Sequence, residues 1–421
     1  MPNTGGFKGI LRKHNPDRLI LLFTCILMLV GLVVIYSIGA QRANVLNNLF
    51  GANYSESHFF VNQLLSVGLS LAAFFAAYKM PFELLKKYSK HILIAAFIAC
   101  AILAVAGWAS WGIAQCTYGA CRWLSFGPRG FQPAELLKLG LLLYLAVFLG
   151  IRANRGEVSN ITNTLMPLAV ISAISLIFVV VIQRDLGTGA VIMAMVLGML
   201  FMAGVSKRLL MLVIAISMVL GLVFSVSAPH RRERLVTFMS GDTSNVEDGS
   251  THHIAHAKMA IGIGGLTGVG IGNSVQATGY LPESINDSVF AIMGETFGFI
   301  GLVSILALFV VLLLRILNTA HFLHDQTGRI LAVGVFAWIA SHVIMNVSAM
   351  TGLMPLTGIT LPLLSYGGTS MLFIAFGLGI VYQLSSYTAH TPMSEEGKKD
   401  ESISSRRRVG WSRYTSSRSS S

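Results

Sequence analysis

The chain has 421 residues, of which 54% are hydrophobic and only 11% charged, whereas soluble domains carry about 25% charged residues. A mean hydropathy of +0.70, with continuous apolar runs about 20 residues long, excludes a soluble globule and favours helices over a barrel. The net charge of +12 is no nucleic-acid signal, because the basic residues gather in short loops and tails, as the positive-inside rule predicts. The expected fold class is an all-α polytopic membrane protein. It has ten transmembrane helices, N-in/C-in, with one large extracytoplasmic loop between helices 7 and 8.

Residues 1–18 carry Lys8, Arg12, Lys13 and Arg18 and read as a basic cytoplasmic lead. The first apolar run is long and lacks a small-residue cleavage site, so no cleavable signal peptide is expected. Residues 19–386 form one membrane domain. Its spans are placed near 19–39, 60–79, 91–109, 133–150, 163–183, 186–204, 208–228, 288–314, 329–350 and 363–386. Lys79, Lys86, Lys87, Lys90, Arg152, Arg155, Lys207, Arg208, Arg315 and Arg329 then all fall on the side of the basic N-terminus, which supports an even helix count. Residues 387–421 are Ser-rich with scattered arginines and read as a disordered basic cytoplasmic tail.

The outer side holds 40–59, 110–132, 229–287, 351–362 and the turn at 184–185. Loop 229–287 is far longer than an ordinary connection, which marks it as functional or mobile. It opens on His230, Arg231, Arg232, Glu233 and Arg234, turns acidic, and continues into an amphipathic piece, His252 to Ile263, suited to a membrane surface. A glycine run follows, Gly262 to Gly272, read as a flexible loop. Then comes Tyr280-Leu281-Pro282-Glu283-Ser284-Ile285-Asn286-Asp287, with Asp287 at the border between water and the next apolar run. Asp287 either complements the helix dipole or performs chemistry on a substrate held at the membrane face.

Ionisable groups within spans are costly and are usually paired or functional. Glu135 and Lys138, three apart, share a helix face. They form either a neutralising pair or the wall of a polar cavity. Asp185 lies in Gln183-Arg184-Asp185, where one span meets the next, and Arg184 can pair with it or reach an anion. Glu295 lies roughly on the face of Asp287. Arg122 beside Trp123 suits a phosphate, because a planar guanidinium matches its oxygens, while Trp123 also fits an interfacial aromatic belt. Pro355, Gly358, Pro362, Gly367 and Gly368 break the helix at membrane depth, where such backbone must line protein or a cavity. This stretch can present Ser365 and Tyr366. Cys25 and Cys100 read as packing residues. Cys116 and Cys121 share an outer loop that permits a disulfide, but spacing does not decide it. His252, His253 and His256 form a surface cluster without a paired carboxylate, a weak metal signal. No nucleotide-binding loop or zinc-hydrolase motif is present.

Taken in order, Arg122-Trp123, Phe131-Gln132-Pro133-Ala134-Glu135-Leu136-Leu137-Lys138, Gln183-Arg184-Asp185-Leu186-Gly187-Thr188, the glycine run, Leu281-Pro282-Glu283 with Asp287, Gly294-Glu295, and Pro355 to Gly368 resemble the SEDS family, the FtsW/RodA proteins of bacterial wall synthesis. The run Gly268 to Ser274 is closer to the division branch than to the elongation branch. Ile285-Asn286, Ala134 and Thr296 depart from the family pattern of His-Thr, Ser and a second acid.

The resemblance implies a peptidoglycan glycosyltransferase that polymerises lipid II, the undecaprenyl-pyrophosphate-linked disaccharide-pentapeptide, in septal wall synthesis during cell division. Asp287 matches the family's essential loop aspartate, which implies a general base. Transfer from a diphosphate also needs cations at the departing group. Arg122, Arg184 and Lys138 are the candidates, with Gln132, Glu135, Asp185, Glu283, Glu295, Ser365 and Tyr366 lining the substrate groove. No metal site or cofactor is expected, though a divalent cation is compatible with the chemistry. The implied partners are a class B penicillin-binding transpeptidase and other division proteins, in the bacterial cytoplasmic membrane at the septum. A lipid II flippase and a non-catalytic division scaffold are the alternatives.

Overall fold

The structure is a computed structural model that describes residues 14–117, 120–126, 129–227 and 249–388. The basic lead 1–13, the basic and acidic parts of the long loop within 228–248, and the tail 389–421 lie outside the described residues. Ten helices among the described residues are long and apolar enough to cross a membrane. In chain order they are α1 (Arg18–Phe50), α2 (His58–Lys79), α3 (Phe82–Trp108), α4 (Pro133–Asn154), α5 (Met166–Leu176), α6 (Leu186–Ala203), α7 (Lys207–Ser227), α9 (Val289–Phe322), α10 (Gln326–Met350) and α11 (Gly368–Leu384). α5 is lengthened at both ends by π-helical turns, Ile161–Leu165 and Ile177–Ile182. A shorter helix, α8 (Gly249–Gly264), precedes α9.

Helix ends depart from hydropathy where polar residues continue a helix outside the apolar run. α1 extends through Gln41, Arg42 and Asn44 to Phe50, and its 33 residues make about 50 Å at 1.5 Å per residue, well beyond a ~30 Å hydrocarbon core. α3 begins at Phe82 rather than near residue 91, with Lys86, Lys87 and Lys90 on helical turns. α11 begins only at Gly368, because Leu363 has a left-handed backbone (φ 64°) and Gly367 is extended, so no helix can run through 363–367.

Helices α4, α10 and α11 form the centre, with about seven-tenths of each span buried, while α7 packs at the edge with none of its window buried. The broadest helix–helix contact joins α2 to α11, followed by α6 to α10 and α3 to α4. Lipid supplies no hydrophobic drive between helices, so close backbone approach does the holding. A Cβ on Gly379 of α11 would overlap the carbonyl of Phe74 on α2.

Both described ends of the chain meet at one pole. His14 donates its backbone N–H to Ser386 O at 3.0 Å, and the Arg315 guanidinium grips Asp17 at 2.7 and 2.8 Å. Lys86–Asp325 at 3.1 Å and Arg152–Glu157 at 2.6 Å lie at the same pole. The opposite pole carries the longer connections. Within residues 110–132, read from the sequence only as an outer loop, a small antiparallel sheet forms, of order β1-β2-β3: β1 (Ala114–Thr117), β2 (Ala120–Phe126) and β3 (Arg129–Phe131). Cys116 and Cys121 face each other across β1 and β2 and are disulfide-bonded, which settles the pairing left open by their spacing.

Candidate functional site

The site is assembled where the glycine run, the start of α9 and the broken stretch 351–367 meet. α8 was expected on the membrane surface. Instead it packs along the first turns of α9, burying Ala257 and Ala260 completely. Contact this close needs glycine: a Cβ on Gly264 would overlap the carbonyl of Gly294. The glycine run, expected to be flexible, is pinned by backbone bonds. Val269 and Gly270 donate to Glu295 O and Thr296 O at 2.9 and 3.1 Å, and Phe299 and Ile300 donate back to Gly265 O and Leu266 O at 2.9 and 3.1 Å. The exchange is possible because α9 is interrupted at Gly298 (φ 67°, ψ −169°), a conformation essentially confined to glycine.

Glu295 fastens the far end of this loop. It is fully buried, accepts from Ser274 Oγ at 2.6 Å and Val275 N at 2.8 Å, and takes weaker bonds from Gln276 N at 3.3 Å. The end of α1 beyond its apolar run braces the same loop. Ser37 Oγ accepts from Gly272 N at 2.9 Å, Gln41 donates to Gly272 O at 3.1 Å, and Arg42 reaches Glu283 at 3.9 Å.

Asp287 emerges from this frame two residues before α9. Its carboxylate faces Gly358, where a Cβ would stand 4.0 Å from Oδ2. Its carbonyl accepts from Asn346 Nδ2 at 2.7 Å, and the same amide group donates to Ile359 O at 2.7 Å. Tyr366 N donates to Ile285 O at 2.8 Å, tying the broken stretch to the aspartate loop a second time. The neighbouring Ser288 Oγ donates to Pro282 O at 2.9 Å and meets the His253 ring of α8.

Beneath this layer lies the span pair. Lys138 is fully buried and contacts Glu135 Oε1 at 2.8 Å and His342 Nε2 at 3.1 Å, with its ammonium 5.2 Å from the Trp338 ring centre. His342 Nδ1 donates to Thr360 O at 3.2 Å. At the rim, Arg122 of β2 donates to Arg184 O at 2.9 Å and Gln183 O at 3.4 Å, clamping the turn between α5 and α6. Arg184 is exposed, whereas Asp185 caps α6, accepting from Thr188 N and Thr188 Oγ1 at 2.9 Å each. Gln132 is half-buried at the start of α4. Ser365 is buried and accepts from Leu361 N at 2.8 Å; burial raises the phenol pKa of half-buried Tyr366, whose ring packs against Phe59.

The candidates therefore divide. Asp287, Glu283, Tyr366 and the buried Glu135–Lys138 pair lie on one connected frame, and Arg122 and Arg184 form a second group at the α5–α6 turn. Glu295, Asp185 and Ser365 spend their polar atoms on backbone and neighbouring hydroxyl groups. Sequence reasoning passed over His342 and Asn346. The signal was available in their spacing, since polar residues four apart on an apolar helix share one face. It also missed the backbone. Among the described residues, three of the four non-glycine residues with positive φ, Arg184, Glu283 and Leu363, fall in this region, and strained backbone of this kind clusters at functional sites. His253 and His256 of the expected weak metal cluster engage Ser288 and Gln276 instead, the latter at 2.8 Å.

Comparison with known proteins places this arrangement among relatives. The family model for FtsW, RodA and SpoVE, described as a cell cycle protein, matches residues 17–390. Stage V sporulation protein E of Bacillus subtilis is 32% identical over 380 residues, covering 90% of this chain and 99% of the relative. A probable peptidoglycan glycosyltransferase FtsW of Aliivibrio salmonicida is 32% identical over 393 residues, covering 91% and 94%. Among solved structures, a chain from a peptidoglycan synthase complex that coordinates polymerization and crosslinking superposes with a TM-score of 0.69 at 24% identity, covering 88% of this chain and 97% of that one. The rod shape determining protein RodA of Thermus thermophilus gives 0.62 at 22% identity, covering 89% and 98%.

Proposed function

The chain belongs to the FtsW/RodA/SpoVE family of cell cycle proteins, and from that premise we propose that it is a peptidoglycan glycosyltransferase that polymerises lipid II, with Asp287 as the general base. The supporting observation is the placement of Asp287. It stands on a rigidly bonded frame at the pole away from the described ends of the chain, beside a broken stretch and above the span of Lys138.

In this reading two lipid-anchored sugars are held side by side. The Asp287 carboxylate takes the proton of the acceptor hydroxyl. That oxygen forms a bond to the anomeric carbon of the donor from the face opposite the diphosphate, with inversion, as the carbon–oxygen bond to the diphosphate breaks. The leaving group departs as the undecaprenyl diphosphate anion. Arg122 and Arg184 at the α5–α6 turn supply positive charge for it, and Lys138, paired with Glu135, sets the electrostatics of the buried layer beneath. Gln132, Glu135, Asp185, Glu283, Glu295, Ser365 and Tyr366 shape or brace the groove. No cofactor is invoked, and a divalent cation is compatible with the diphosphate.

The partner class is a single-pass penicillin-binding transpeptidase working with other division proteins. It is supported by the similarity to a chain from a complex that couples polymerization to crosslinking. The site of action is the septal face of the bacterial inner membrane.

Buried charge within the spans also fits a second reading, a lipid II flippase. The test uses purified protein in liposomes loaded with labelled lipid II, with and without the transpeptidase. Glycan polymer supports the polymerase. Translocated but unpolymerised lipid supports the flippase, and neither product supports a scaffold.

A further inference from the structure

Two polar side chains of α10 connect the aspartate to the buried lysine, and neither was among the residues singled out from the sequence. Asn346 and His342 stand four apart on one helix face. Each grips a successive carbonyl of the broken stretch: Asn346 holds Ile359 O at 2.7 Å and His342 holds Thr360 O at 3.2 Å. With its second amide hydrogen bond Asn346 holds Asp287 O at 2.7 Å, and with its second ring nitrogen His342 meets the Lys138 ammonium at 3.1 Å. Both side chains are nearly fully buried.

The partners fix the chemistry. An ammonium has only donors and a carbonyl only accepts, so His342 carries its proton on Nδ1 and offers a lone pair at Nε2. The two residues form a short ladder whose rungs are the carbonyls of residues 359 and 360. At its outer end the ladder holds the backbone of Asp287. At its inner end it holds the ammonium that Glu135 neutralises.

We propose that His342 and Asn346 are positioning residues for glycosyl transfer, holding Asp287 and Lys138 in one fixed geometry through the carbonyls of Ile359 and Thr360. This inference rests on the polymerase reading, since it assigns the two residues a part in setting up that reaction. They act through others and touch no reacting atom. Misplacement of a reacting group by about 1 Å costs on the order of 10²-fold in rate, and a released rung produces a displacement of that kind.

The experiment measures lipid II polymerisation by the purified full-length protein, with thermal unfolding recorded for every variant. His342→Gln keeps an acceptor for Lys138 and a donor for Thr360 O, whereas His342→Leu keeps volume and neither bond. Asn346→Asp keeps shape but cannot donate to the two carbonyls. The expected result is a fall in kcat of about 10²-fold for His342→Leu and Asn346→Asp, with little change in KM, and substantial rescue in His342→Gln. If His342→Leu does not fold, His342→Asn, too short to span both partners, replaces it against His342→Gln. Wild-type kcat in the Leu or Asp variant overturns the inference, as does a loss in His342→Gln equal to that in His342→Leu. Wild-type protein serves as the control that separates the two failures. Without polymer from wild type the polymerase reading itself fails, whereas polymer from wild type with unimpaired variants removes only the positioning roles.

Discussion

At the scale of the residue, the polar atoms decide what each candidate can do. Glu295 shares an acidic side chain with Asp287, yet its oxygens take the N–H groups of Val275 and Gln276 and the hydroxyl of Ser274. Glu295→Gln places an NH₂ group against those donors. The expected cost is roughly 1–3 kcal/mol, the penalty for a buried group left without its partner, read as a lower unfolding midpoint in detergent. The Glu135–Lys138 pair follows a different rule. Removing one partner of a buried ion pair costs about 3–5 kcal/mol, because the other charge stays buried. Lys138→Met is therefore expected to destabilise the protein more than the double variant Glu135→Gln with Lys138→Met, a comparison that thermal unfolding decides. Residue types announced these carboxylates in the sequence, but not which would be consumed by backbone. Nothing local distinguishes a helix cap such as Asp185 from a ligand contact until Thr188 is seen folded onto it.

At the scale of the element, the connection from α8 through the glycine run into α9 behaves as one docked unit. Its rigidity comes from the interruption at Gly298, which frees the N–H groups of Phe299 and Ile300 for the glycine loop. Gly298→Ala must hold a side chain where φ is positive, costing about 1–3 kcal/mol from the backbone alone, and its Cβ also meets the backbone of Gly268 and Leu266. The expected outcome is fast hydrogen exchange across residues 264–300, measured by mass spectrometry, in a variant whose other spans stay protected. The glycines were visible in the sequence and were read as flexibility. What was not visible is the partner they approach, because close packing is a property of two segments and composition reports on one. The outer sheet was missed for a similar reason. β1 and β3 have only four and three residues, and β2, closed against β1 by a local disulfide, sets Trp123 next to Leu124 instead of alternating apolar with polar, so no period of two registers. Replacing Cys116 and Cys121 together by Ser removes a crosslink worth about 2 kcal/mol for so small a loop, and is expected to loosen the Arg122 clamp on the α5–α6 turn.

At the scale of the whole molecule, ten spanning helices and the pole where the described ends meet follow from hydropathy and from the placement of lysine and arginine, both legible in the sequence. The arrangement of the spans was not legible, since apolar helices look alike until small residues such as Gly379 meet their partners. Orientation is testable directly. With Cys25 and Cys100 replaced, a membrane-impermeant maleimide is expected to label Ser55→Cys in intact spheroplasts and Glu83→Cys only after permeabilisation. The reverse pattern would turn the molecule over and remove the site from the extracytoplasmic face. The central claim, that Asp287 withdraws the acceptor proton, is tested most directly by the rate of lipid II polymerisation by purified Asp287→Ala and Asp287→Asn, both confirmed folded by their unfolding midpoints. A fall of about 10²–10⁴-fold, the usual contribution of a general base, is predicted for both, whereas glycan strands made at the wild-type rate by either variant would contradict it.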